Sequence, residues 1–178
     1  MIQRGLQTIA RQRQIVERSF SSAARRYDLA AGLQRQIGRQ LVGRIPGPLS
    51  GGLILDVGVG TGRVTRLLAD HLPAARLVGV DVSLCMLEQA KINLPSLCAV
   101  HADAAAMPFG PGSFDMVFSN LAYQWVGDLT AAFGEVRRVL RAEGAVYLTI
   151  FTRQTLSAFF ASLAATAGGR RGGCFRRL

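Results

Sequence analysis

The chain has 178 residues, 49% of them hydrophobic and 18% charged, with 21 Lys and Arg against 11 Asp and Glu and a formal charge of +10. That length suits one domain, and that apolar content excludes global disorder. No apolar run reaches the roughly 18–20 residues a membrane helix needs, and the Arg- and Gln-rich start lacks a secretory leader's apolar stretch, so the chain reads as cytoplasmic with no membrane association.

Residues 1–44 form the first unit, a helical segment that is free of proline and carries nine Arg against Glu17 and Asp28. Leu29, Leu33, Ile37 and Leu41 recur at four-residue spacing and predict one buried helix face. Ile45-Pro46-Gly47-Pro48 breaks the pattern and opens a core domain over residues 45–151. Within it Leu53-Ile54-Leu55-Asp56-Val57 predicts a buried strand, and residues 63–72 an amphipathic helix closed by Pro73. Residues 76–81 predict a second strand, followed by a helix with Ser83 as N-cap and Met86, Leu87 and Ala90 along one face. Further strands are expected at 97–100, 114–119 and 145–151, with a helix at 129–140 before the last. Such alternation implies an α/β fold, a Rossmann-like, doubly wound and mainly parallel sheet with helices on both faces.

Residues 152–178 are the third unit, a short helix at 155–167 and then a Gly/Arg-rich tail, and from residue 151 on the chain holds five Arg and no acid. Basic ends on a near-neutral domain suit an acidic partner, or form solvated helix faces. Cys85, Cys98 and Cys174 fit no metal-ligand spacing, and no metal is expected. Cys85 and Cys98 lie in apolar stretches and are expected to be buried thiols.

The chemistry gathers where the first strand meets the first helix, at Asp56-Val57-Gly58-Val59-Gly60-Thr61-Gly62. Glycine there allows left-handed backbone and a close approach to a ligand, and the carboxylate two residues before Gly58 suits a cationic group better than a phosphate. Asp81 ends the second strand about 20 residues on, where a carboxylate can accept both hydroxyls of a ribose, and Val82 follows it. Asp103, with Ala104, follows the third strand and can accept an adenine amino group. Three acidic positions at the ends of three consecutive strands fall on the carboxyl edge of the sheet, where open α/β folds bind ligands. Ser119-Asn120-Leu121-Ala122-Tyr123-Gln124-Trp125 follows the fourth strand on that same edge.

These blocks, with Met107-Pro108-Phe109 and Gly112-Ser113-Phe114-Asp115, resemble class I S-adenosylmethionine (SAM) dependent methyltransferases over residues 45–151. The segment from Phe20 to Gln34 and the run Ser119–Trp125 resemble a narrower group, the biotin-pathway malonyl-[acyl-carrier-protein] O-methyltransferases. The resemblance implies transfer of a methyl group from SAM to the free carboxylate of a malonyl thioester. It also implies an acidic acyl-carrier protein as partner. On that likeness Asp56, Gly58, Gly60 and Gly62 border the methionine part, Asp81 and Val82 the ribose, Asp103 and Ala104 the adenine, and Asn120 the cofactor. Tyr27 and Gln124 are implied as catalytic residues that orient the carboxylate, with Gln34 and Trp125 on the substrate side. The tail at 168–178 resembles nothing in the family and reads as a truncated end, so that C-terminal antiparallel strands are expected to be missing. Asn120-Leu121-Ala122-Tyr123 lacks the proline pair of base-flipping methyltransferases, and no nucleic-acid partner is expected. The chain is expected to be a monomer. Another small-molecule methyltransferase, or a non-catalytic binding protein on the same fold, remains open.

Overall fold

A computed structural model describes residues 32–47 and 51–152. Helix α1 (Gly32–Val42) precedes β1 (Gly52–Val57), α2 (Arg63–His71), β2 (Ala75–Asp81), α3 (Leu84–Asn93), β3 (Cys98–His101), β4 (Phe114–Asn120), a 3₁₀ turn (Tyr123–Trp125), α4 (Leu129–Val139) and β5 (Leu140–Thr149). The five strands pair in parallel in the order β3-β2-β1-β4-β5, so the chain builds outward from β1 to one side and then crosses to β4 on the other. The expected Rossmann-like α/β fold is the one observed.

Strand alternation explains the two cores. Ile54 of β1 faces α1, α2 and α3, packing with Leu41, Leu68, Leu72, Leu87 and Phe118. Leu55 and Val57 face the opposite way, with Val80, Val117, Tyr123, Val136 and Val139. Two helix starts are capped by side chains: Ser83 Oγ accepts from Met86 N, as expected, and Asp128 Oδ1 accepts from Ala131 N.

Four expectations need correction. The buried face of α1 is Gly38, Leu41 and Val42, whereas Leu33 is 55% exposed. The reason is Gly38, where an added Cβ would stand 2.6 Å from Val64 Cγ1; the missing side chain lets α1 lie directly on α2 and turns Leu33 outward. Cys85 and Cys98 are exposed, because Cys85 lies on the outer face of α3 and Cys98 at the outermost strand. The last strand starts at Leu140, five residues early, since its register against β4 shifts between Phe114 and Met116 and absorbs residues 141–144 as an irregularity. The third strand lies one residue later than expected, at Cys98–His101. Among the described residues no helix is long and apolar enough to cross a membrane, and no cluster of His, Cys, Asp and Glu could hold a metal.

Candidate functional site

Strand order reverses between β1 and β4, and the carboxyl ends of those strands border a cleft. It has two lobes that share Gly58, Gly60 and Asn120. The first spans about 700 Å³ including its open mouth. Its walls include Asp81, Val82, Met86, Asp103, Ala104 and Trp125. The second is walled by Asp56, Gln34, Arg35, Thr61 and Arg63.

The glycine loop is built for close approach. Gly58 has φ +72°, and a Cβ there would lie 2.2 Å from the Cβ of Ala122, so the loop and the turn after β4 touch through that missing atom. Gly60 has φ +54° with no atom within 4 Å of a Cβ, so its α-carbon faces open space. Gly58 N and Val59 N both donate to Val80 O, tying the loop to β2. Gly62 lies outside the cleft lining. A Cβ on it would stand 3.0 Å from Ala90 Cα, so it serves the crossing of α2 over α3.

Asp81 links the loop to the second strand. Its Oδ2 accepts from Gly60 N at 2.9 Å and its Oδ1 from Ser83 N at 2.9 Å, and the Val82 amide also favours its charged form. Burial pushes its pKa up against the lowering effect of those amides. Asp56 is 3% exposed, and its Oδ2 accepts from Thr65 Oγ1 at 2.6 Å. Burial, opposed by the Thr65 hydrogen bond and helped by the Asp81 charge, raises its pKa to about 7. Asp103 caps its own turn, Oδ1 accepting from Ala105 N.

The turn after β4 is held from two sides. Asn120 Nδ2 donates to Gln34 O on α1, and Asn120 Oδ1 accepts from Thr149 Oγ1 on β5. Leu121, at φ +55°, carries backbone strain of a kind that concentrates at functional sites, and its N donates to Thr149 Oγ1. Trp125 is 51% exposed at the mouth. Gln124 Nε2 donates to Leu121 O, so it braces the strained residue. Gln34 Oε1, Gln124 Oε1 and the Tyr123 hydroxyl are buried without a hydrogen-bond partner among the described residues. Tyr27 lies outside the described residues.

Arg35, Arg63, Met86 and Ala122 are wall residues that the sequence pattern did not single out. For Arg63 the signal was its place directly after the glycine loop; the others come together only through tertiary packing. Chemically, one lobe offers two carboxylates and apolar side chains to a nucleoside. The other is lined by an acid, an amide residue and two arginines.

Two glycine substitutions separate folding from binding. Gly60→Ala is expected to cost about 1 kcal/mol of stability for its left-handed backbone while obstructing the cleft, and Gly58→Ala to cost about 1 kcal/mol more because Ala122 must move. Thermal melting and ligand titration check this: a Gly60→Ala chain that binds its ligand like the parent contradicts the placement of the cleft.

A family model described as a methyltransferase domain matches residues 55–148. The malonyl-[acyl-carrier protein] O-methyltransferase of Halorhodospira halophila is 40% identical over 148 residues, 81% of this chain and 50% of its own length. That of Hahella chejuensis is 41% identical over 160 residues, 87% of this chain and 56% of its own. The chain thus spans about half the length of the curated relatives it matches. Among solved structures, Haemonchus contortus phosphoethanolamine N-methyltransferase 1 in complex with phosphoethanolamine and S-adenosylhomocysteine has the same fold, with a TM-score of 0.68 at 20% identity over 80% of this chain and 33% of that one. The phosphoethanolamine N-methyltransferase 2 of the same organism, in complex with S-adenosyl-L-methionine, gives 0.58 at 24% identity over 74% and 36%.

Proposed function

The chain belongs to the methyltransferase-domain family, and on that premise we propose that it binds SAM in the two-lobed cleft and methylates the free carboxylate of a malonyl thioester on an acyl-carrier protein, a step of biotin synthesis. The observation that carries the cofactor reading is Asp81, whose carboxylate closes the glycine loop through Gly60 N and lines the cleft where a ribose diol would meet it. The acceptor reading rests on the curated relatives, which bear that activity in their names.

The residues present fit the cofactor. Asp81 would accept the ribose hydroxyls and Asp103 the adenine amino group, with Val82, Met86 and Ala104 as the apolar surface around the base. Asp56 and the orphaned Gln34 Oε1 would receive the α-ammonium, and Arg35 and Arg63 the α-carboxylate. When bound, SAM supplies a methyl group made electrophilic by its sulfonium. The chain's part is to orient and to exclude water. A malonyl carboxylate is already ionised at neutral pH, so the reaction asks no general base of the protein. Trp125, half exposed on the cleft lining, would face the acceptor, Asn120 would border the cofactor where the two lobes meet, and Gln124 would act by holding the Leu121 turn. We keep Tyr27 as a carboxylate-orienting residue of the N-terminal segment, and that segment's arginines as the face toward the acidic carrier.

The test is incubation of the whole chain with SAM and carrier protein loaded with either malonyl or acetyl thioester, read by mass spectrometry. Methyl ester is expected on the malonyl form alone. A chain that binds SAM, leaves malonyl carrier unmodified and methylates a small-molecule acceptor would overturn the acceptor assignment.

A further inference from the structure

The segment between β3 and β4 forms one wall of the nucleoside lobe through Ala102, Asp103 and Ala104, yet it contains no helix or strand, only an isolated bridge between Asp103 and Ala106. A loop of that kind must satisfy its backbone groups elsewhere. It does so on one turn of α4. Glu135 Oε2 accepts from Met107 N at 2.7 Å. The Arg138 guanidinium donates to Phe109 O at 2.6 Å and to Met107 O at 2.9 Å, and Arg138 O accepts from Gly112 N. The two side chains are bidentate to each other, Arg138 Nε to Glu135 Oε1 at 2.6 Å and Nη2 to Oε2 at 2.7 Å. Between them Met107 is 4% exposed in the core beside Val136 and Val139, and Phe109 meets Phe114 edge-on.

An i,i+3 ion pair on a helix surface contributes little by itself. Here the pair is a fixed fork that reads the backbone of one loop, a task only a planar guanidinium performs at two carbonyls while engaging a carboxylate. We infer that Glu135 and Arg138 are positioning residues, which set the distance between the adenine-side wall and the sheet and so tune nucleoside affinity without touching the ligand. The inference rests on the cofactor reading above and deepens it.

The experiment compares the whole chain with Arg138→Met, Arg138→Lys, Glu135→Gln and, as control, Arg141→Met. Arg141 also belongs to this region but ties Gly112 O and Asp115 at the far end of the loop. Each variant is titrated with S-adenosylhomocysteine and with 5′-methylthioadenosine, which has the nucleoside but no amino-acid end, and amide exchange is followed over residues 102–109. Arg138→Met is expected to lose about tenfold or more in affinity for both ligands alike, with faster exchange in the loop, because sub-ångström misplacement of a binding wall has effects of that order. Arg138→Lys is expected to recover part of the loss, Glu135→Gln to show a smaller one, and Arg141→Met to bind as the parent does. Unchanged loop exchange in Arg138→Met overturns the inference, as does an equal affinity loss in Arg141→Met. A parent chain that binds neither ligand overturns the cofactor reading instead, and the exchange measurement still decides whether the fork holds the loop.

Discussion

Replacing Asp81 by Ala is expected to lower affinity for SAM by roughly 10²–10³-fold while the chain stays folded. Two hydroxyl hydrogen bonds to a charged acceptor contribute about 1.5–3 kcal/mol each, and each 1.4 kcal/mol is tenfold in affinity. The lower end of that range sets the expectation, since water partly satisfies both partners in the variant. Asp81→Asn is not a mild substitution here. Both carboxylate oxygens already accept a backbone amide, from Gly60 and from Ser83, and an amide side chain has one oxygen only. Its NH₂ group would face either the Gly60 or the Ser83 N–H, so Asp81→Asn is expected to bind within about tenfold of Asp81→Ala. Titration calorimetry on both variants checks this, and an Asp81→Asn chain with parental affinity would contradict the assigned role.

Asp56→Asn is expected to make the ligand-free chain more stable and the cofactor weaker bound. The side chain keeps an acceptor for Thr65 Oγ1 and loses a buried charge. The folded pKa of Asp56 is about 7 against an ordinary 3.8, so the folded state holds the proton that the unfolded state gives up as pH rises from about 4. Stability attributable to this group therefore falls between pH 4 and 7 and stays low above, by up to about 4 kcal/mol at roughly 1.4 per unit. The gain in melting temperature from Asp56→Asn is accordingly largest near pH 8 and vanishes near pH 4. Binding of an ammonium next to Asp56 favours the carboxylate, so SAM binding to the parent should release protons near pH 7 and tighten as pH rises through that value. The Asp56→Asn substitution abolishes the proton release and weakens binding by roughly 10–100-fold, the loss of one charge-assisted hydrogen bond. Calorimetry in buffers of different ionisation enthalpy reads the protons directly; equal release from both chains would contradict the role of Asp56.

The residues legible from sequence are those whose role depends on position along a strand. Asp56, Asp81 and Asp103 end three consecutive strands, and parallel pairing in the order β3-β2-β1 brings those ends to one edge. Short crossovers set β1, β2 and β3 side by side, whereas the return past β1 to β4 is fixed by packing. What sequence could not separate is a glycine that faces an open cleft from one that meets a helix. Gly60 and Gly62 share left-handed backbone and the same motif, and only packing shows Gly62 against Ala90 and Gly60 facing open space. Helical spacing likewise placed Leu33 in the buried face of α1, because Gly38 carries no side chain to announce that the helices touch there. Glu135 and Arg138 read as an ordinary surface pair, since the backbone groups they hold lie about 30 residues away in sequence. Arg35 reaches the cleft only because α1 lies across α2.

Everything proposed for this chain depends on one cleft taking both the nucleoside and the amino-acid end of a single cofactor, and calorimetric titration of the whole chain with S-adenosylhomocysteine decides it. One-to-one binding is expected, weakened roughly 10²–10³-fold by Asp81→Ala and less by Arg35→Met, with 5′-methylthioadenosine sensitive to the first substitution and indifferent to the second. A folded chain that takes up no S-adenosylhomocysteine, or one whose affinity is untouched by Asp81→Ala, would contradict it.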